Sequence, residues 1–200
     1  VVFSVVAEPV DSDQEQHDSV RDVFALPTAC LLVRADLFRA LGGFEPSIEF
    51  HGDGLDLCWR AHLSGARVMV VPDATGRHRA DLVSRLPDHP GELLNARHGL
   101  LTALTMSSPL RALVTALLAP LVGVIATLAG LLTGEAGAGL ATLRASGSVW
   151  ARFGAVVHRR RSVQRLRTVP EHEITPLQAR GSTQLRTLLR RRHQTEEVRD

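Results

Sequence analysis

The sequence predicts an α/β layer that continues into a membrane-associated helical segment and then into a basic, helical tail. Residues 1–80 alternate short apolar runs with amphipathic stretches, as strands and helices packed in layers do. Residues 112–133 contain no charged side chain, which is long enough to cross a bilayer. Charge divides the chain: residues 1–110 hold 9 Arg and 15 acidic residues, and residues 144–200 hold 13 Arg and 5 acidic residues.

The elements of the α/β layer follow from local patterns. Three apolar runs have the length of buried strands: residues 1–6, 29–33 and 67–71. Between them, apolar residues at helical spacing predict helices over residues 34–41 and 54–63. Each of these helices is expected to stop at a glycine, at Gly42 and at Gly65, because glycine adopts the left-handed conformation at little cost. A further helix is predicted over residues 94–107.

An ordered set of short motifs lies within residues 26–78. They are Thr28-Ala29, an apolar strand ending at Arg34, Gly42-Gly43-Phe44-Glu45, Asp53, Asp56-Leu57-Cys58-Trp59-Arg60, Gly65, Val71-Pro72 and His78. In this order the segment resembles the acceptor side of family 2 glycosyltransferases, such as bacterial rhamnosyl- and galactofuranosyl-transferases. The resemblance implies that residues 1–105 are the C-terminal half of a GT-A domain, with the donor-binding half outside this chain.

The resemblance also implies a reaction. It is the inverting, non-processive transfer of a sugar from a nucleotide-diphosphate sugar to a lipid-linked or cell-envelope glycan acceptor. The QxxRW motif of processive members does not occur in the sequence. A divalent cation, Mg²⁺ or Mn²⁺, is implied as cofactor, bound mainly by a DxD motif outside this chain, with His78 completing its shell. The chain alone is therefore expected not to turn over a sugar nucleotide.

The catalytic base is expected where the helix over residues 54–63 begins, since a carboxylate there can accept the acceptor's hydroxyl proton. Asp53 and Asp56 share a helix face, and the helix dipole favours their ionised forms. The family carries its base at the position of Gly54, which has no side chain. Three alternatives follow: Asp53 takes the role, Asp56 takes it, or the domain is an inactive membrane-associated scaffold of an envelope-synthesis complex. Both aspartates would also serve as helix caps.

Six further residues are candidates for substrate contact through the resemblance: Thr28, Ala29, Gly43, Phe44, Trp59 and Arg60. Phe44 and Trp59 are either core aromatics or a platform for a sugar ring. Arg60 either pairs with a neighbouring carboxylate or contacts the diphosphate or the acceptor. His62, on the same helix stripe, is expected to be a packed core histidine.

Residues 106–157 are expected to associate with the membrane, and residues 158–200 to form an Arg-rich cytosolic tail. Sugar nucleotides are cytosolic, so the α/β part belongs at the cytoplasmic face of the plasma membrane. The basic tail belongs on the same side, because positively charged flanks stay inside. A re-entrant hairpin divided at Pro120 satisfies this, as does a return by residues 136–157; a helix buried between protein layers is the remaining alternative. The tail is expected to meet anionic membrane lipid and no nucleic acid, because no aromatic residue follows Phe153.

Overall fold

The computed structural model of the chain is mostly helical and contains one small sheet. It describes residues 2–3, 19–48, 52–74, 91–134 and 136–178. The predicted site residue His78 lies outside the described residues, as do most of the first predicted strand and the end of the basic tail. The prediction of an α/β layer followed by helices is confirmed at this coarse level.

Four very short strands form the sheet, in the order β2-β4-β1-β3. They are β1 (Val2–Phe3), β2 (Arg21–Asp22), β3 (Leu32–Val33) and β4 (Val68–Val70). The first strand runs parallel to β4 and antiparallel to β3, whereas β2 runs antiparallel to β4. The strand predicted over residues 29–33 is wrong in its first half, because Thr28–Cys30 forms a single 3-10 turn. Pro27 precedes that turn and donates no backbone hydrogen bond, which suits a turn better than a strand.

Two helices cover the sheet, α1 (Ala35–Ala40) and α2 (Asp53–Leu63). Both lie where the apolar spacing predicts them, and both stop at the predicted left-handed glycines, Gly42 (φ 83°) and Gly65 (φ 79°). Their apolar faces and the sheet enclose one core cluster, whose buried members are Leu26, Leu41, Leu57, Cys58, Ala61 and Val68. The central helix α2 is buried along nearly its whole length.

The rest of the described chain is helical. Its elements are α3 (Gly91–Met106), α4 (Pro109–Thr133), α5 (Gly137–Ala151), α6 (Phe153–Arg165), α7 (Glu171–Ile174) and a 3-10 turn (Thr175–Leu177). Helices α4 and α5 form an antiparallel hairpin, and α3 packs against α4, α5 and α6. Ala112 near the start of α4 shares a core cluster with Val149 near the end of α5. The chain therefore enters and leaves the hairpin at the same end, here called the hairpin base.

The break predicted at Pro120 is wrong, because α4 continues through it as one helix of 25 residues. An interior proline removes one backbone hydrogen bond and costs about 3 kcal/mol. Long apolar helices tolerate that loss when a neighbouring helix packs beside them. The return of the chain is made by α5, not by a second half of α4. Of the two ways to place both flanks on one side, the structure has the geometry of the second.

Helices α4 and α5 approach closely because glycines lie between them. A Cβ atom built on Gly139 would lie 2.3 Å from the backbone nitrogen of Thr127, and one on Gly123 would lie 3.0 Å from the side chain of Leu143. Small residues at such crossings let two helix backbones pack without a polar contact. Close packing of the two helix backbones therefore holds the hairpin together.

Helix α4 turns a broad apolar surface outward. Within Pro109–Leu132, the most apolar stretch of 18 residues has a mean hydropathy of 2.3, and only 6% of that stretch is buried. A core helix of a soluble protein can be equally long and apolar, but it is mostly buried. Its exposed large side chains are Leu110, Leu113, Val114, Leu117, Leu118, Leu121, Val122, Val124, Ile125, Leu128, Leu131 and Leu132. This arrangement does not fit a helix buried between protein layers.

The predicted basic tail is folded in its first part, and its boundary at residue 158 falls inside α6. Three side chains of α6 and the following turn bind the carbonyls that end α3. Arg160 Nη1 donates to Leu104 O at 2.5 Å, Gln164 Nε2 donates to Thr105 O at 2.9 Å, and Arg167 Nη2 donates to Met106 O. A helix end leaves its last carbonyls without internal partners, and cationic groups are favoured there. These side chains therefore serve the fold.

Gly139→Ala is expected to destabilise the protein by about 1–3 kcal/mol, because the new methyl group collides with the backbone of α4. Gly147→Ala in the same helix meets nothing within 4 Å and is the matched control. It is expected to be neutral or to stabilise by up to about 1 kcal/mol through helix propensity. Thermal unfolding in detergent micelles, followed by circular dichroism, measures both, and equal melting temperatures would contradict the close packing.

Candidate functional site

Three of the motif segments converge on α2 in the structure. Arg60 of α2 donates from Nη1 to the carbonyls of Leu41, at 2.7 Å, and of Gly43, at 2.8 Å. On the other side, the helix packs at Gly54 against the chain that precedes the 3-10 turn at Thr28. The order of motifs in the sequence thus corresponds to one connected region in space.

The centre of this region is a set of four charged side chains, here called the buried ion cluster: Glu45, Asp56, Arg60 and Arg159. Asp56 has no exposed surface. Its Oδ2 accepts hydrogen bonds from Arg60 Nε at 2.8 Å and Nη2 at 2.5 Å, and its Oδ1 accepts one from Arg159 Nη2. Arg159 Nε lies 3.0 Å from Glu45 Oε2. Two carboxylates and two guanidinium groups therefore balance their charges, with Asp56, Arg60 and Arg159 buried and Glu45 partly exposed.

Arg159 also donates from Nη1 to Thr105 Oγ1 at 3.0 Å. The cluster therefore connects α6 with α3 as well as with α2 and with residues 42–45, here called the glycine loop. Removing a charged group from water costs several kcal/mol, and a buried pair is stable only when its remaining donors and acceptors are bound. Both oxygens of Asp56 meet this condition. The prediction that Arg60 pairs with a neighbouring carboxylate is confirmed.

Sequence reasoning assigned Arg159 to a solvated tail and missed its position in the cluster. A signal for it exists, because Val156, Arg159 and Val163 are spaced three and four residues apart and so lie on one face of a helix. Both valines are buried. An arginine between two apolar positions of an otherwise basic helix indicates an inward-facing charge, but only its partner's position shows what it binds.

The carboxyl group of Glu45 completes the cluster near the surface. Burial alone raises its pKa, but the hydroxyl of Ser47, which donates to Oε1 at 2.8 Å, and the charge of Arg159 lower it further than burial raises it. The net pKa is below the ordinary value of 4.5. The stability that Glu45 contributes is accordingly complete above that value and is lost as the pH falls through the lower, folded-state pKa.

Asp53 differs from Asp56 in every respect that matters for chemistry. It is the first residue of α2, and its side chain is only partly buried. Within the described residues, its carboxylate makes no hydrogen bond or ion pair. Gly52, which precedes it, is left-handed (φ 102°), and its carbonyl accepts the first helical hydrogen bond from Asp56 N at 2.8 Å. The turn therefore presents Asp53 at the helix N-terminus, where the dipole favours a negative charge.

Gly54 is enclosed by backbone. A Cβ atom at this position would lie 2.3 Å from Leu26 O and 3.3 Å from Thr28 N. An aspartate here, where the resembling family carries its base, would force the two segments apart. The absence of a side chain is therefore a packing requirement of this fold.

The aromatic candidates separate clearly. Trp59 is 6% exposed and packs edge-on against Phe24, with ring centroids 5.1 Å apart. It belongs to a core cluster with Met106 and other apolar residues, so it is placed as a core aromatic. Phe44 is 48% exposed and rests edge-on against Phe38, with centroids 5.3 Å apart. Only Phe44 of the two offers a ring face to a ligand.

Of the remaining candidates, Thr28 and Ala29 lie in the 3-10 turn. Gly43 lies in the loop whose carbonyls accept hydrogen bonds from Arg60. Ala29 is exposed and Thr28 is partly buried, close to the N-terminus of α2. Gly43 is left-handed (φ 74°), and its carbonyl is bound by Arg60. The turn and Asp53 thus lie at the same end of α2, whereas Gly43 is held further along the helix.

His62 is a core histidine, as predicted. It is buried, its ring stacks on that of Phe24 with centroids 5.9 Å apart, and its Nε2 lies 3.1 Å from the carbonyl oxygens of Val23 and Phe24. Carbonyls only accept hydrogen bonds, so Nε2 carries the proton. Burial lowers the pKa of His62 below the ordinary 6.5, because it disfavours the charged ring.

The implied divalent cation finds no donor set among the described residues. No group of three His, Cys, Asp or Glu side chains there could hold a metal ion, and His78 lies outside that part of the chain.

Asp56→Asn is expected to lower the free energy of unfolding by about 3–5 kcal/mol, because it leaves two buried guanidinium groups with one carboxylate between them. Asp36→Asn is the matched control, since it removes an exposed ion pair with Arg34 and is expected to change little. Urea unfolding in detergent micelles measures both. Equal losses in the two variants would contradict a structural role for the buried ion cluster.

Acidification is expected to destabilise the protein partly through His62. Its folded-state pKa lies below its unfolded value, so its contribution is complete above pH 6.5 and is lost as the pH falls through the folded-state pKa. His62→Gln should therefore flatten the dependence of the melting temperature on pH between about 7.5 and 5. His172→Gln, at an exposed position in α7, is the control and should leave that dependence unchanged.

Among known proteins, no family model matches the chain, and no curated protein or solved structure matches it significantly.

Proposed function

We propose that this chain is the acceptor-side part of a membrane-bound family 2 glycosyltransferase. In the proposed reaction, a sugar passes with inversion from a nucleotide-diphosphate sugar to a lipid-linked or cell-envelope glycan, one addition per encounter. The observation that carries the proposal is the contrast between two aspartates on one helix. Asp56 is fully engaged by guanidinium groups, whereas Asp53 is partly exposed and has no internal partner among the described residues.

Asp53 is the general base in this proposal. A base must be ionised, accessible and held on a rigid element so that it meets the acceptor hydroxyl in the transition state. The N-terminus of α2 provides the position and the favourable dipole. The buried ion cluster provides rigidity, because Asp56 and Arg60 lie one turn and two turns further along the same helix.

The proposed acceptor contacts lie at two places along α2, one beside Asp53 and one about two turns further along at the loop bound by Arg60. Thr28 and Ala29 border the N-terminus of α2, and exposed Phe44 stands on the loop that Arg60 holds in place. An exposed aromatic ring is a suitable surface for the apolar face of a sugar. The donor and the divalent cation, Mg²⁺ or Mn²⁺, are assigned to the half of the domain that lies outside this chain, with His78 as a further cation ligand.

The hairpin α4–α5 is proposed as the membrane attachment. The outer surface of α4 is apolar and exposed, and the chain enters and leaves the hairpin at the same end. This geometry keeps residues 26–78, here called the motif region, on the same side of the bilayer as α6. For a sugar-nucleotide enzyme that side is the cytoplasmic face of the plasma membrane. An acceptor carried on a lipid would then approach from the same surface.

A second function, an inactive scaffold of an envelope-synthesis complex, is favoured by one observation. The position of the family's base is Gly54, and the backbone around it leaves no room for a side chain. If activity was lost in this lineage, a glycine selected for close packing is the expected result. The two proposals differ only in whether Asp53 carries out proton transfer.

Asp53→Asn in the full-length protein separates them. As general base, Asp53 contributes roughly 10²–10⁴-fold to the rate of transfer, so kcat should fall by that factor while the protein stays folded. Asp73→Asn, at an exposed aspartate after β4, is the matched control and should retain full activity. The measurement is transfer from a panel of radiolabelled sugar nucleotides into lipid-linked acceptors. Unchanged transfer by Asp53→Asn would remove Asp53 as the base, and no transfer by the unaltered protein would favour the scaffold.

A further inference from the structure

A cavity of about 400 Å³ opens at the hairpin base, where α3, α5 and α6 meet the glycine loop. None of its lining residues belongs to α2, and it plays no part in the proposed proton transfer. Its walls carry apolar side chains of these helices, including Leu101, Val149 and Val156. It is here called the basic pocket, because arginine and histidine side chains also line it.

Three arginines and one histidine line the basic pocket, Arg97, Arg152, Arg159 and His158, and among the described residues that line it Glu45 is the single acid. Glu45 is already paired with Arg159, whose other donors are bound to Asp56 and Thr105. The side chains of Arg97, Arg152 and His158 make no hydrogen bond or ion pair within the described residues. Two arginine charges in the pocket are thus left without a counter-charge.

The three uncommitted donors come from different elements. Arg97 projects from the middle of α3, Arg152 stands at the junction of α5 and α6, and His158 lies one to two turns into α6. Charges of one sign brought together by tertiary packing repel each other, and an anion between them removes that repulsion. Arginine binds phosphate oxygens through paired N–H groups, which a chloride ion cannot match.

The pocket also borders the surface proposed to face the bilayer. Trp150 and Phe153 flank Arg152, stack on each other with ring centroids 5.9 Å apart, and are both about half exposed. Exposed aromatic rings beside arginines are typical of the level at which lipid headgroups lie. A phosphate at this point can therefore remain attached to an acyl or prenyl chain that continues along the apolar face of α4 and α5.

We propose that the basic pocket binds the phosphate group of an anionic lipid, with Arg97 and Arg152 as its principal ligands and His158 as a further donor. The headgroup enters from the membrane surface and its hydrocarbon chain stays on the hairpin. Placement at the bilayer rests on the proposed membrane attachment, whereas recognition of phosphate rests on the pocket alone. The same site would hold the phosphate of a lipid-linked acceptor close to the motif region.

The test is a titration of the full chain in a non-ionic detergent with dihexanoyl-phosphatidate, dihexanoyl-phosphatidylcholine and inorganic phosphate. Binding is followed by tryptophan fluorescence, since Trp150 adjoins the pocket. Phosphatidate is expected to bind at least about tenfold more tightly than either other ligand. In Arg97→Gln/Arg152→Gln its affinity should fall by about tenfold or more, because each hydrogen bond to a charged group contributes on that order.

Arg161→Gln/Arg165→Gln is the matched control, since both arginines are exposed on α6 and neither lines the pocket. It removes the same charge and should leave phosphatidate binding unchanged. An equal loss in both double variants would show a diffuse charge effect and overturn the pocket. Inorganic phosphate binding as tightly as phosphatidate would overturn the lipid assignment and leave a free-anion site.

A separate measurement isolates the membrane proposal. Flotation with neutral phosphatidylcholine vesicles reports insertion of the hairpin, and it should be the same for the unaltered chain and both double variants. Failure to float with phosphatidate binding intact would refute the attachment and retain the pocket. Flotation without any phosphatidate binding would refute the pocket and retain the attachment.

Discussion

Asp56 has no exposed surface and holds two arginines from distant parts of the chain, and the described structure depends on that contact. Arg60 lies one turn away on the same helix and carries the connection on to the glycine loop through the carbonyl of Gly43. Arg159 lies more than one hundred residues away and brings α6 against α2. A sheet of strands only two or three residues long supplies few hydrogen bonds, so such side-chain connections have to hold its cover in place.

The hairpin obeys a different rule from the motif region. Buried ion pairs hold the motif region together. Helices α4 and α5 instead pack closely because Gly139 and Gly123 have no side chain at their crossing. Among the described residues no ion pair joins these two helices, and close backbone approach maximises dispersion contacts instead. The two kinds of packing meet at the hairpin base, which is also where the basic pocket lies.

The orientation of α2 explains why Asp53, Gly54 and Asp56 have different roles. Gly54 and Asp56 face inward and are used for packing and for charge balance. Asp53 is left at the surface end of the helix, so in the proposed enzyme it is the residue free to act on a substrate. Rigidity in the cluster and freedom at the helix N-terminus are thus two consequences of one helix orientation.

The sequence by itself determined the local elements of this protein. Helix α2 and its glycine stop at Gly65 follow from spacing and from backbone conformation, which involve only neighbouring residues. The length of the apolar segment that forms α4 also followed from the sequence. Tertiary structure alone decided that Arg159 belongs to a buried ion cluster, that α4 runs unbroken through Pro120, and that Gly54 has no room for a carboxylate. Each of these depends on which distant segment packs alongside, and a local pattern carries no information about that partner.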